Sequence, residues 1–582
     1  MNQKRNQNVQ VAVNKKFKHD LSHQHLTTID WFRLQPIGCM EMVAGDKFDF
    51  NVRTLIEASP LATKVYGSAH LDIHAFFVPF RLLWKDWNSY YYGDGSNNSF
   101  TVPYLPFGAS GFIDTVFGTN STGATDATKK ERRSVFGSLG YPTTTFQSSA
   151  SYDVDRNLSA LPARAYQQIW WDWFRDSVNI PESTKLSYLN TSGGMVAQNT
   201  WTTLFTPRYR TYRKDYITTI MTDASANIPG SVAYGAFYET DENDTANGKR
   251  AMMFGGTSVY ASDNASTAST TISKLLQGVR VPVLRGAIAM QKFLERLGIT
   301  GSRPLERIVS TFGMRPTPER LDMSEFIGYK SIPVGIDGLI NTGSSNKLDG
   351  ADGVSPFGDD STADFGTMQG RSSAAGQTDS MSYTADEHGY LMIVASIVPD
   401  YINGNVVDKL FTRGTGNASQ GNIDFFQPDF DGSGYQPVLL GDIANPHVWD
   451  SAWTPGNYDP SQVVGYQPYA EDYRQILDKI SGDFNERESH EYLRNMAFVR
   501  DLTTMFPTEV VAGLNLTTPD NDDRKVFDNH FQVTDGTKDH FIMNNYFVVD
   551  ALRPISNSVL PTELSDMANR DLTEVAKGGI RL

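Results

Sequence analysis

Four cations stand among three tyrosines in Arg208-Tyr209-Arg210-Thr211-Tyr212-Arg213-Lys214-Asp215-Tyr216. Cations bind phosphates and aromatic faces stack on unpaired bases. Arg208, Tyr209, Arg210, Tyr212, Arg213 and Lys214 are therefore candidate contacts for single-stranded nucleic acid. The same run also fits a strand or loop whose tyrosines pack inward while its arginines meet solvent or acids. A second basic stretch sets Lys4, Arg5, Lys15, Lys16 and Lys18 against one acid, Asp20, in an Asn- and Gln-rich context. That composition predicts a flexible arm over residues 1–25, either touching nucleic acid or simply solvated.

Other constellations fall short of a reaction. There is no GxxxxGK[ST] to cradle phosphates, and His490-Glu491-Tyr492-Leu493-Arg494 has arginine where HExxH needs its second histidine. The run Gly414–Gly421 is rich in glycine, but no helical pattern follows to aim a dipole at an anion. His19, His23 and His25 could hold a metal only on a helix, and Thr27, Thr28 and Ile29 beside them favour extended chain. Asp349-Gly350-Ala351-Asp352 and Asp520-Asn521-Asp522-Asp523 lack the Glu and Gly placement of an EF-hand. The single Cys39 excludes an intrachain disulfide and a thiolate zinc cluster. No cofactor, metal or catalytic site is read, and the expectation is a protein that is not an enzyme.

The elements that would position these residues are mostly strands. Ala69 to Phe77 alternates, with Leu71, Ile73 and Phe77 on one face and His70, Asp72 and His74 on the other, which predicts a half-buried strand closed by Pro79. Ahead of it a Gly45-Asp46 turn separates two strand-like runs. Helical spacing appears in Leu83, Trp84, Trp87, Tyr90 and Tyr91, in Tyr166 through Phe174, and in Leu284, Ile288, Gln291 and Leu294. The aromatic stripes read as core packing ahead of a ligand platform. Polar tracts at 108–158, 221–275 and 341–382 separate these pieces, and strand-like Gly235–Tyr238 and Thr257–Tyr260 make the middle tract a small folded insertion. With 582 residues, 12% aromatics and a net charge of −15, the chain can bury a large core. The polar start shows no export signal, and the longest apolar run, Tyr390 to Val398, is too short to span a membrane. The pattern predicts a mainly β protein, a sandwich or jelly roll with long loop insertions and a few short helices.

Several segments together resemble one family, the major capsid proteins of the Microviridae in their gokushovirus-like branch. MEMVAGDKFDF and HLDIHAFFVPFRLLWKDW resemble the family's "PGD" turn and its "D-H-FFVP-R-W-W" block, with Ala44 in place of proline. Leu161 to Asp176 resembles "LP-RAY-IW-WFRD", and Lys214-Asp215-Tyr216-Ile217-Thr218 resembles "KDYFT". IAMQKFLERLGITGSRPLERIVSTFGM, continuing through Arg320-Leu321 to Gly328, resembles the "QK-ER-GG-RY-E-I-FGV" block; Gly301 keeps one glycine and Thr300 stands at the other. Gly465-Tyr466-Gln467, Tyr473-Arg474 and Arg553-Pro554 resemble the closing segments.

This resemblance implies an eight-stranded jelly roll over residues 26–220 and 276–582. It also implies self-assembly into a sixty-subunit icosahedral shell around circular single-stranded DNA, inside the host bacterial cytoplasm. Residues 221–275 occupy the slot of a three-fold surface protrusion, which suggests contact with a host surface receptor. The implied virion partners are a small basic DNA-binding protein and a pilot-type minor protein. A shell of chains each at −15 cannot neutralise its genome, so packaging relies on local basic patches, counterions or that basic peptide. The inward-facing candidates are the N-terminal lysines and Arg208 to Lys214. The rival readings are a carbohydrate-active β-sandwich enzyme and a non-viral surface adhesin.

Overall fold

The computed structural model describes residues 16–59, 67–92, 100–107, 134–142, 156–177, 189–221, 317–335, 373–404, 435–439, 463–468, 471–479 and 539–553, with short pieces at 112, 116, 180, 238–239, 251–254, 257–260, 305–306, 308–309, 338–340, 369–371, 408–412, 481, 493–495 and 531. Ten strands form the sandwich: β1 (Phe17–Asp20), β2 (His23–Ile29), β3 (Gln35–Met42), β4 (Lys47–Ala58), β5 (Ala69–Pro79), β6 (Glu325–Val334), β7 (Ser373–Gln377), β8 (Met381–Thr384), β9 (Gly389–Pro399) and β10 (Phe541–Arg553).

One antiparallel sheet has the order β2–β10–β4–β7, with β1 extending β2 along β10 and β8 extending β7 along β4. The other has the order β3–β9–β5–β6. The chain therefore crosses between sheets at β2–β3, β3–β4, β4–β5, β6–β7, β8–β9 and β9–β10. With β1/β2 and β7/β8 each counted as one broken strand, this is the strand order of an eight-stranded jelly roll.

Alternation puts Phe48, Phe50, Val52 and Ile56 of β4 into the core, against Phe77, Leu391, Ile393 and Phe547. At the β3–β4 turn Gly45 has φ +90, a conformation glycine adopts without strain. Asp46, fully buried, accepts the Val43 N–H at 3.0 Å and lies 3.1 Å from the Arg553 guanidinium. The apolar run at 390–398 is β9, buried along its whole length because both faces of the second sheet are covered. No described helix is long and apolar enough to cross a membrane.

The cover on the second sheet is helical. The short helices of residues 80–205 are α1 (Phe80–Leu83), α2 (Trp87–Tyr92), α3 (Val135–Ser138), α4 (Leu161–Ile169) and α5 (Trp201–Phe205), and α4 runs on into a π-helical turn, Trp170–Phe174. Leu161, Ala165, Tyr166 and Ile169 pack on Phe76, Val78, Met392 and Val394. This corrects the half-buried reading of 69–77. The face carrying Asp72 and His74 is buried too, with Arg210 and Tyr329 on Asp72 and Phe174 of the π-helical turn on His74, so both are 9% exposed or less.

Two other expectations change. The stripe from Leu83 to Tyr91 is two helices, because Trp84 is extended and bridges to Thr191. The predicted flexible arm ends earlier than residue 25, since β1 and β2 are zipped onto β10. Leu284 to Leu294 lies outside the described residues. Within 221–275, Tyr238–Glu239, Ala251–Phe254 and Thr257–Tyr260 form a three-stranded antiparallel sheet, in line with a folded insertion.

Candidate nucleic-acid interface

The segment from Arg208 crosses the helical side of the sandwich. Its main chain pairs with the β2–β3 connection: the Leu34 N–H donates to the Arg208 carbonyl at 2.9 Å and the Arg210 N–H to the Phe32 carbonyl at 2.8 Å. These bonds leave successive side chains pointing to different layers.

Arg208 turns to the helices. Its Nε donates to Gln167 Oε1 at 2.6 Å and its guanidinium lies 4.2 Å from the Trp170 ring centroid, while its N–H donates to the Tyr166 hydroxyl at 2.9 Å. Arg210 turns to the sheet and forms an ion pair with Asp72, whose other oxygen accepts the Tyr329 hydroxyl at 2.9 Å. Burial pushes the Asp72 carboxyl up, but Arg210 with the hydroxyls of Ser331 and Tyr329 more than reverses this, leaving it below the usual carboxylate range. Next to them His74 sits among Phe76, Phe174 and Tyr329. Burial, then the charge of Arg210, lowers it to about 3, so it is neutral at physiological pH.

Further along, Arg213 meets Asp400 at 2.5 Å, and Asp400 also takes His70 at 2.8 Å and the Ser68 hydroxyl at 2.5 Å. Asp215 caps the turn that follows, accepting from the N–H groups of Ile217 and Thr218 and from Asn403. Tyr209 is half-buried against the core, and Tyr212, 3% exposed, meets Phe32 and Tyr401 edge-on.

The structure thus brings the six residues onto one strap but spends most of them on the protein itself. The stacking role read for Tyr212 is corrected, because its ring is in the core. Arg210 is committed to a buried aspartate. Arg213, half exposed, and Lys214, exposed, present charge outward.

Of the N-terminal cations, Lys4, Arg5 and Lys15 lie outside the described residues. Lys16 Nζ donates to the Gly45 carbonyl, and Lys18 pairs with Asp550 at 2.9 Å on an exposed edge. His23 and His25 set their Nδ1 atoms against the carbonyls of Leu21 and Ile37 at 2.9 and 2.6 Å. Among the described residues no group of three metal-ligating side chains converges. Gly414–Gly421, His490, Glu491 and the two aspartate-rich runs fall outside the described residues.

Residues that were not read as candidate contacts carry much of the polar architecture. Arg33, 8% exposed, makes a two-pronged pair with Asp539 at 2.9 and 2.7 Å. Arg164, 1% exposed, donates to the Leu83 carbonyl and the Thr191 hydroxyl, and burial lowers it to about 10. Asp72 was legible as the acid of the "D-H-FFVP" block, but nothing local names Arg210 as its partner.

Comparison with known proteins gives the chain's relatives. The family described as "Capsid protein (F protein)" matches residues 7–562. Capsid protein VP1 of Bdellovibrio phage phiMH2K is 24% identical, over 78% of this chain and 79% of its own length. Capsid protein VP1 of Chlamydia phage 1 is 22% identical over 82% and 85%, and that of Spiroplasma virus 4 is 20% identical over 82% and 89%.

Proposed function

The chain belongs to the phage capsid protein (F protein) family, and from that premise we propose that it is the subunit of a sixty-copy icosahedral shell around circular single-stranded DNA. It is a structural protein, not an enzyme, and its place is the virion; the glycan-active enzyme and non-viral adhesin readings fall with that assignment. The observation that carries the proposal is the family match along residues 7–562 lying on a jelly-roll strand order. Assembly takes place in the host cytoplasm, and residues 221–275 form the exterior protrusion that meets the host receptor. The genome contacts are the N-terminal cations Lys4, Arg5, Lys15, Lys16 and Lys18, together with Arg213 and Lys214. A small basic DNA-binding protein and a pilot-type minor protein complete the particle, since the acidic chain cannot neutralise the genome alone.

Electron microscopy and sedimentation of the purified, expressed protein test the shell. Uniform particles of about sixty subunits support it, and a population that never exceeds the 64.7 kDa chain, even with the basic peptide and DNA added, overturns it. Replacing the five N-terminal cations by glutamine is expected to lower the DNA content of particles while shells still form. Unchanged DNA content would sink the assignment of the arm.

A further inference from the structure

The outward face of the β2–β10–β4–β7 sheet is laid out by register. Ile542, Asn544, Tyr546, Val548, Asp550 and Leu552 alternate onto that face of β10, so Lys18, which stands opposite Leu552, shares it with Tyr546. Across the sheet run the rows Gln24–Tyr546–Arg53–Gln377 and Leu26–Asn544–Leu55–Ala375, with Thr28–Ile542–Glu57–Ser373 beyond them. Leu26 is 67% exposed, Ile542 58%, and Leu55 and Tyr546 45% each.

The charges on this face are sorted. Asp20, Asp550 and Asp49 form one row at the Lys18 end, where Lys18 and Lys47 hold Asp550 and Asp49 at 2.9 and 3.4 Å. Glu57 stands at the other end. Between them Arg53 is the only charge among the residues in register. Acid at both ends repels a phosphate and Arg53 attracts it, so a polyanion crossing the face is drawn to the Tyr546 row.

That row has the chemistry of a base site. Tyr546 gives an aromatic ring, and Arg53, on the next strand about 5 Å away, gives a phosphate contact beside it. Gln24 Nε2 donates to Asn544 Oδ1 at 2.7 Å, which orients Gln24 Oε1 as an acceptor and Asn544 Nδ2 as a donor for base edges. Leu26, Leu55 and Ile542 are apolar surface that a base face covers. A duplex keeps its base faces inside the stack, whereas a single strand can lay them on such a surface. Lys18 continues the face into the basic arm assigned above to the genome.

We propose that this face is a base-stacking site for single-stranded DNA, with a base on Tyr546, its phosphate on Arg53 and base edges against the Gln24–Asn544 pair. The site deepens the capsid reading by adding genome contacts outside the arm and the strap, and it rests on that reading for the direction in which the sheet is turned.

Fluorescence anisotropy of a labelled oligothymidylate, titrated with the unassembled full chain over a salt series, tests it. Tyr546→Ala is expected to weaken binding about five- to a hundredfold with the salt slope unchanged, because stacking carries no charge. Tyr546→Phe keeps the ring and should bind as the parent chain does. Arg53→Gln should make the slope of log affinity against log salt shallower by about 0.7, the share of one phosphate. Undiminished binding by Tyr546→Ala overturns the site, as does an unchanged slope for Arg53→Gln. If Tyr546→Ala fails to fold, Tyr546→Leu removes the aromatic face and takes its place.

Photocrosslinking reads the contact directly. An oligonucleotide carrying iododeoxyuridine should attach to Tyr546, and annealing it to its complement should abolish that adduct. Adducts confined to the N-terminal arm overturn the proposal. So does a dimer, seen by sedimentation without DNA, that Tyr546→Ala dissolves, since the face then belongs to a second copy. Electron microscopy of the same variants separates the two readings: shells that form with unchanged DNA content remove the site and leave the capsid assignment standing.

Discussion

The two sheets of the sandwich share a core and differ in what lies on their backs. The β3–β9–β5–β6 sheet is covered by α4, its π-helical turn and the strap from Arg208, so its outward residues are a second interior: Phe76, Val78, Met392, and the polar Asp72 and His74, with Arg210 of the strap paired to Asp72. The β2–β10–β4–β7 sheet turns Leu26, Leu55, Ile542 and Tyr546 outward, each exposed by 45% or more. Equal strand geometry therefore places one set of residues where a substitution breaks the fold and the other where it alters only contacts with other molecules.

The sharpest way to break that contrast is to cut into the covered side. Arg210→Ala leaves the Asp72 carboxylate buried and unpaired and is expected to cost about 3 kcal/mol. Phe76→Ala, which empties a site lined by Trp173, Phe174 and Phe326, should cost roughly 3–5 kcal/mol. Denaturant midpoints check both.

Next in size is a pH effect. His74 is held near 3 when folded and returns to about 6.5 when unfolded. The unfolded chain takes up the proton first, so stability is complete above pH 6.5 and declines as pH falls through that value toward 3. The loss is roughly 2 kcal/mol between pH 6.5 and 5. His74→Phe should flatten that slope, as measured by melting temperature against pH. The depressed Asp72 carboxyl adds its own loss only lower, as pH falls below about 4.

Arg213→Ala should cost under about 1 kcal/mol, because its pair with Asp400 is half exposed. Smallest of all, Leu55→Gln on the bare sheet should move the unfolding midpoint by no more than about 0.5 kcal/mol. A large loss there would erase the distinction between the two faces.

Which parts of this were legible in the sequence follows from how far each signal reaches. Alternation in Lys47–Ala58 and the glycine at the β3–β4 turn are local, and both give the observed elements. The strand at 69–79 was legible as a strand, but period two states only that its faces differ. That its polar face is buried depends on Phe174, Arg210 and Tyr329, brought over it from elsewhere in the chain. The run at 208–216 was visible as cations among tyrosines, yet composition could not name the partners. Asp72 and Asp400 sit on β5 and just after β9, and their arrival turns most of a nucleic-acid signature into an internal clamp. Arg33 and Asp539, 506 positions apart, left no local trace at all.

One feature of the first sheet sets an order of events. β1 and β2 hydrogen-bond to β10, with Gln24 meeting Asn544 across 520 positions. A chain growing from the ribosome thus exposes its first strands long before the strand they require exists, and the last one made must slot between β2 and β4. Closure of the sandwich is necessarily late and driven by contacts of high sequence separation, which are slow to form. Until then the open edges of β2 and β4 are where two nascent chains could pair wrongly, and crowded synthesis of a shell protein brings such chains together.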